Sequence, residues 1–214
     1  MDEELKDVKF LPWVGDNYEC GLRVDENGDI VFGTKDKPGK KILVLGESLY
    51  TNDPNSVKED AICNLMKWYF DPNEEFEGWM NTYTKFIRSV AGKAIDRSDS
   101  AIWWNHLALY EYVQEPLTGP RFSPTHEQFK CSESAFFNVI EKLKPDYIIA
   151  WGQRLYNNLP QGGEQGDDLC VNKYEDWIET WIYMLGKQKI TVLPFTHPSS
   201  SFSWEYWHQF LCKL

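Results

Sequence analysis

Apolar and polar positions along the chain fall into short apolar runs separated by longer amphipathic stretches. Residues 42–45 form a continuous apolar run of the kind found in strands covered on both faces. Ser56 and Glu59 have the spacing of a capping box, which predicts a helix with Ile62, Leu65, Met66 and Tyr69 on one side. A second helix is expected from about residue 79 to 91, and residues 101–112 read as a second strand. Pro116, Gly119, Pro120 and Pro124 break the chain after it. Thr125 and Gln128 form another capping box, for a helix that carries Phe129, Phe136, Ile140 and Leu143 and stops before Pro145.

Residues 147–151 read as a third strand that turns at Gly152 into a short helix. Residues 161–168 look like a polar, Gly-rich loop, 177–185 and 189–194 like a hairpin turning near Gly186, and 204–214 like an aromatic closing helix. Ahead of the first buried strand, residues 25–28 make a hairpin-like turn. Strands alternating with helices predict right-handed crossovers. The expected fold is therefore a three-layer α/β/α domain around a mostly parallel four-stranded sheet. It spans 1–214 as one domain, with 1–39 as an irregular amino-terminal extension.

Composition narrows the setting. The chain is 42% hydrophobic and 15% aromatic, and no apolar run approaches the length that crosses a bilayer. Residues 1–7 are acidic with no apolar stretch behind them, so no signal peptide is expected. Five scattered cysteines, with no Cys-x-x-Cys pair, argue against a disulfide framework, a zinc site or an iron–sulfur cluster. The expectation is a cytoplasmic monomer with no membrane contact, no metal and no cofactor. A net charge of −11 opposes tight duplex binding except at a local basic patch, and only Lys35, Lys37, Lys40 and Lys41 cluster.

Candidate chemistry sits after the first and last apolar strands, at Gly46-Glu47-Ser48-Leu49-Tyr50 and His197-Pro198-Ser199-Ser200. Ligands of open parallel sheets bind at the carboxyl ends of strands. Glu47 and His197, about 150 residues apart in sequence, are thus expected to face each other across one pocket.

The order of these motifs resembles the uracil-DNA glycosylase superfamily. Its pieces here are Gly-Glu-Ser-Leu-Tyr, the Phe76-Glu77-Gly78 segment, a strand with Asn105, Leu-Lys-Pro-Asp before Tyr-Ile-Ile-Ala-Trp-Gly, and His-Pro-Ser, together spanning about residues 40 to 202. The resemblance implies a uracil-DNA glycosylase-like fold. It also implies that Glu47 positions the attacking water, His197 donates to a carbonyl oxygen of the base, Phe76 stacks on the base and Asn105 reads its edge. Gly46, Ser48 and Tyr50 would line the pocket, and the Ser199 and Ser200 hydroxyls and amides would hold a phosphate. Ser48 stands where the classical branch has aspartate, while Tyr50 matches its tyrosine. The cluster cysteines of the Gly-Glu-Ala-Pro-Gly branch are missing, with only Cys131 in a comparable helix. The chain also resembles uncharacterised bacterial proteins with a Gly-Glu-Ser-x-Tyr motif and a Tyr-Val-Gln segment, here Tyr112-Val113-Gln114, for which no activity is implied.

Three functions follow as expectations. The first is a DNA glycosylase-like hydrolase for base excision repair, cleaving the N-glycosidic bond of a flipped deaminated base, uracil above all, with single-stranded or base-flipped DNA as partner. The second keeps the pocket for a nucleobase, nucleoside or other small molecule. The third is a non-catalytic interaction protein using the aromatic face of Trp204, Trp207 and Phe210.

Overall fold

The computed structural model describes residues 5, 7–119, 122–171 and 175–214; most of the acidic start and Pro120 lie outside them. In chain order come β1 (Trp13–Val14), β2 (Leu22–Val24), β3 (Ile30–Phe32), β4 (Ile42–Tyr50), α1 (Ala61–Phe70), α2 (Met80–Ala91), α3 (Arg97–Trp104) and β5 (Leu107–Leu117). Then follow α4 (His126–Cys131), α5 (Glu133–Leu143), β6 (Tyr147–Trp151), α6 (Gln153–Asn157), β7 (Glu164–Gln165), β8 (Leu169–Val171), β9 (Asp176–Ile178), β10 (Trp181–Leu185), β11 (Gln188–Phe195) and α7 (Trp204–Leu211).

Seven strands form one mixed sheet in the order β1-β5-β4-β6-β11-β10-β7, flanked by helices. The expected four-stranded sheet is corrected by its edges: β1 joins antiparallel on one side, β10 and β7 on the other. β1 and β7 have two residues each, too few for an alternation to register in sequence. The apolar run of β4 is sealed on both faces, with Leu43, Val44 and Leu45 fully buried. Against one face pack α2 and α7, where Phe86 meets Trp104 at 5.6 Å and Trp151 at 5.2 Å, and Phe195 stacks on Trp207 at 4.2 Å. Against the other packs α5, with Phe136 at 5.5 Å from both Tyr112 and Tyr183.

Several boundaries differ from the sequence reading. The run Ala101-Ile102-Trp103-Trp104 is the end of a helix, because Trp104 turns inward against Trp13, Phe86 and Trp151. The second strand therefore begins only at Leu107 and runs on to Leu117. The Ser56–Glu59 box is absent: Asp53 caps a short 3-10 turn over Pro54–Ser56, the Ser56 hydroxyl donates to the Asp53 carbonyl, and α1 starts at Ala61. The Thr125–Gln128 box is present, but its helix breaks at Ser132, whose hydroxyl donates to the Gln128 carbonyl and accepts from the Gln114 N–H. The loop at 161–168 contains β7, and Trp177 belongs to β9, which pairs with β8 rather than extending β10. The aromatic closing helix faces inward, with Trp207, Phe210 and Leu211 buried, which removes the exposed patch expected of an interaction protein.

The described part of the amino-terminal extension packs onto the domain. Val8 and Phe10 are buried, and the Gln114 side-chain carbonyl on β5 accepts from the Lys9 N–H at 2.8 Å and the Phe10 N–H at 3.1 Å. Among the described residues no helix is long and apolar enough to cross a membrane. Replacing Gln114 by Leu keeps the volume but strands two backbone donors, one of them buried. Gln114→Leu is expected to cost about 3 kcal/mol in urea unfolding and to speed amide exchange at Lys9 and Phe10. Unchanged exchange at both amides would show that this bond does not hold the segment.

Candidate functional site

The chain leaves β4 toward β5, then crosses back to β6 on the other side of β4. A crevice opens at such a reversal, beyond the carboxyl ends of the strands. Glu47 lies near the end of β4, and Gly152 ends β6 with a φ of 103°, a backbone turn suited to glycine. That turn starts α6 and carries Arg154 to Glu47. Its Nε donates to Glu47 Oε2 at 2.8 Å, Nη2 donates to Oε1, and Nη1 donates to the Ser123 hydroxyl. The guanidinium thus grips the carboxylate with two parallel bonds. Glu47 is only 14% exposed at its side chain and Arg154 53%, so the arginine covers the acid from the solvent side.

His197 follows β11. The Ser199 N–H donates to its Nδ1 at 3.1 Å, and the Ser199 hydroxyl lies 2.8 Å from the same atom. A backbone N–H can only donate, so Nδ1 is an acceptor and the ring proton of neutral His197 sits on Nε2. Ser200 fixes the turn, its N–H and hydroxyl both donating to the His197 carbonyl. Burial lowers the His197 pKa; Glu47 opposes that shift and Arg154 adds to it. Glu47 and His197 lie at the same end of the sheet, where a Cβ built at Gly152, two residues before the Glu47 partner Arg154, would lie 3.7 Å from the His197 Cβ. The Trp151 ring stands edge-on to His197 at 5.8 Å, and its buried indole N–H has no hydrogen-bond partner among the described residues.

Beneath this lies Glu111, which the sequence reading did not single out. It is the β5 neighbour of Gly46 across the parallel ladder, and a Cβ built at Gly46 would overlap its carboxyl oxygens. Only 7% exposed, Glu111 has its pKa pushed up to about 8 by burial and then by the Glu47 charge, against a smaller opposing pull from the Ser48 N–H. It is protonated at neutral pH. Glu111 in turn helps raise the pKa values of Tyr83 and Tyr50, for both of which burial is the larger cause.

The other expected residues divide. Gly46 and Ser48 line the end of β4, and Tyr50 projects half-exposed from its tip. Ser199 and Ser200 serve the His197 turn. Asn105 is not in the site. It closes α3 before β5 begins, where its carbonyl accepts from the Asn17 N–H, and the extended strand from Leu107 to Glu111, about 13 Å, separates that end of β5 from Glu111. Phe76 lies in the loop between α1 and α2, 63% exposed, and among the described residues no ring stacks on it. Arg154 and Glu111 were missed; their only signals were a cation just after Gly152 and an acid inside the apolar run of β5.

Beside His197 opens a cleft of about 480 Å³, walled by Tyr156, Trp177, Phe195 and Trp207 with Glu179 at its edge. Among the described residues no group of three or more His, Cys, Asp or Glu side chains is placed to hold a metal ion. No family model and no curated protein matches this chain.

Glu111 yields a prediction of its own. Between pH 4.5 and about 8 the folded state binds a proton at Glu111 that the unfolded chain has released, so stability falls as pH rises through that window. The loss reaches roughly 5 kcal/mol above pH 8. Glu111→Gln is neutral throughout; its melting temperature relative to the native protein should rise from pH 5 to pH 9. A difference that stays constant with pH would contradict a protonated Glu111.

Proposed function

We propose that the chain is an N-glycosidic hydrolase of the uracil-DNA glycosylase type, acting on a base swung out of DNA, with uracil the first substrate to test. The observation that carries this reading is His197, locked by Ser199 with its proton on Nε2 and sharing a site with the Glu47 carboxylate. Breaking the bond from C1′ to the base leaves the electron pair on the base and positive charge on the sugar. His197 Nε2–H donates to the base oxygen that gathers the negative charge. Glu47, both of whose oxygens Arg154 holds, has only its remaining lone pairs to offer the incoming water. The four central strands β5, β4, β6 and β11 run parallel, which supports the fold part of the reading.

A second reading, a hydrolase or binder of a free nucleobase or nucleoside, is favoured by charge. The molecule carries −11, the Glu179 carboxylate lines the cleft, and Arg154 is committed to Glu47.

The deciding experiment is single-turnover excision at low salt from uracil-containing single-stranded and duplex oligonucleotides, with deoxyuridine in parallel. Uracil release is expected from DNA, slowed about 10²–10³-fold in His197→Ala and reduced in Glu47→Gln. Release from deoxyuridine alone would replace the first reading by the second. No release by the folded protein, or release indifferent to His197→Ala, would overturn both as hydrolases.

A further inference from the structure

The cleft beside His197 has walls and charge of one kind. Trp177 on β9 is 53% exposed and lines the cleft. Tyr156 on α6 lines the cleft as well; burial and then the Glu179 carboxylate push its hydroxyl pKa up to about 12. The stacked pair Phe195 and Trp207 forms the floor. Among the described residues no lysine or arginine lines the cleft, His197 is held toward its neutral form, and the nearby Arg154 guanidinium turns to Glu47. Among the described residues Glu179 is the one charged side chain of the lining.

We propose that this cleft binds a planar aromatic cation, such as an N-alkylated heterocycle, stacked on Trp177 and Tyr156 with its positive charge facing Glu179. Aromatic faces attract cations through their quadrupole, most strongly where water is displaced, and a carboxylate at the edge adds charge complementarity. A phosphate finds no donor cation among the described residues of this lining. The volume of about 480 Å³ lies in the range of small-molecule pockets and holds a single ring system of base size. As a substrate assignment the inference rests on the proposed hydrolase reading, while the binding itself stands apart from it. Cleavage of the bond from C1′ to a cationic ring returns the bonding pair to that ring, which leaves neutral. Water supplies the new hydroxyl on C1′ and releases a proton.

The test is tryptophan-fluorescence titration of the intact protein with 1-methylnicotinamide and with nicotinamide, which share a shape and differ in charge. The cation is expected to bind saturably and about tenfold more tightly than the neutral ring. Glu179→Gln should erase that preference, and Trp177→Ala should weaken the cation about tenfold; both positions are exposed, so neither substitution threatens the fold. Equal affinity for the two rings, or a preference untouched by both substitutions, overturns the inference. A parallel titration compares 7-methylguanosine with a single-stranded oligonucleotide carrying one 7-methylguanine. Tighter binding of the oligonucleotide assigns the cation to DNA, tighter binding of the nucleoside assigns it to a free small molecule, and binding of neither counts against the cleft. Because binding is read without turnover, its failure is distinct from a failure to excise uracil.

Discussion

The parallel pairing of β4 with β5 on one side and β6 on the other is the constraint from which the site follows. The strands are fixed in register, with Gly46 beside Glu111 and Leu45 beside Ala150, so β6 and β11 end about level with Gly46 while β4 and β5 run on to Tyr50 and Leu117. The register brings Glu47 near the end of β4, Arg154 on α6 and His197 after β11 to the same end of the sheet without any of them being near another in sequence. The same register forces the Gly46 position, because only a residue without a Cβ leaves room for the Glu111 carboxyl on the neighbouring strand.

Electrostatics inside the crevice are balanced by two different means. Glu47 keeps a cation, Arg154, on both of its oxygens, whereas Glu111 sits too deep for a cation and keeps a proton instead. The two solutions are coupled, since the Glu47 charge is one reason that Glu111 holds its proton. His197 lies under the opposing fields of Glu47 and Arg154, with burial tipping it toward the neutral form. A neutral imidazole with Nδ1 already occupied offers a ligand a single donor of fixed direction.

The parts of this arrangement visible in the sequence were those with a local signature. Residues 42–45 and 147–151 were legible as strands because burial on both faces leaves an unbroken apolar run. Glu47 and His197 stood out as polar residues at the ends of such runs. The Thr125–Gln128 box was legible because both its partners lie within one turn. The misreading of Asn105 came from Trp103 and Trp104, which give a short amphipathic helix the look of a strand and shifted the start of β5. Arg154 was invisible because its partner lies 107 residues away. Glu111 was invisible because an acid in an apolar strand acquires its meaning only from what the neighbouring strand places against it.

The most direct test of the central claim is ¹⁵N NMR of the His197 ring in the native protein at pH 7, assigned by comparison with His197→Gln. The account predicts a neutral ring with an unprotonated Nδ1 and a proton on Nε2, and ring shifts that move in Glu47→Gln. A proton on Nδ1, a charged imidazolium at pH 7, or ring shifts indifferent to Glu47 would contradict a shared site built on a His197 donor.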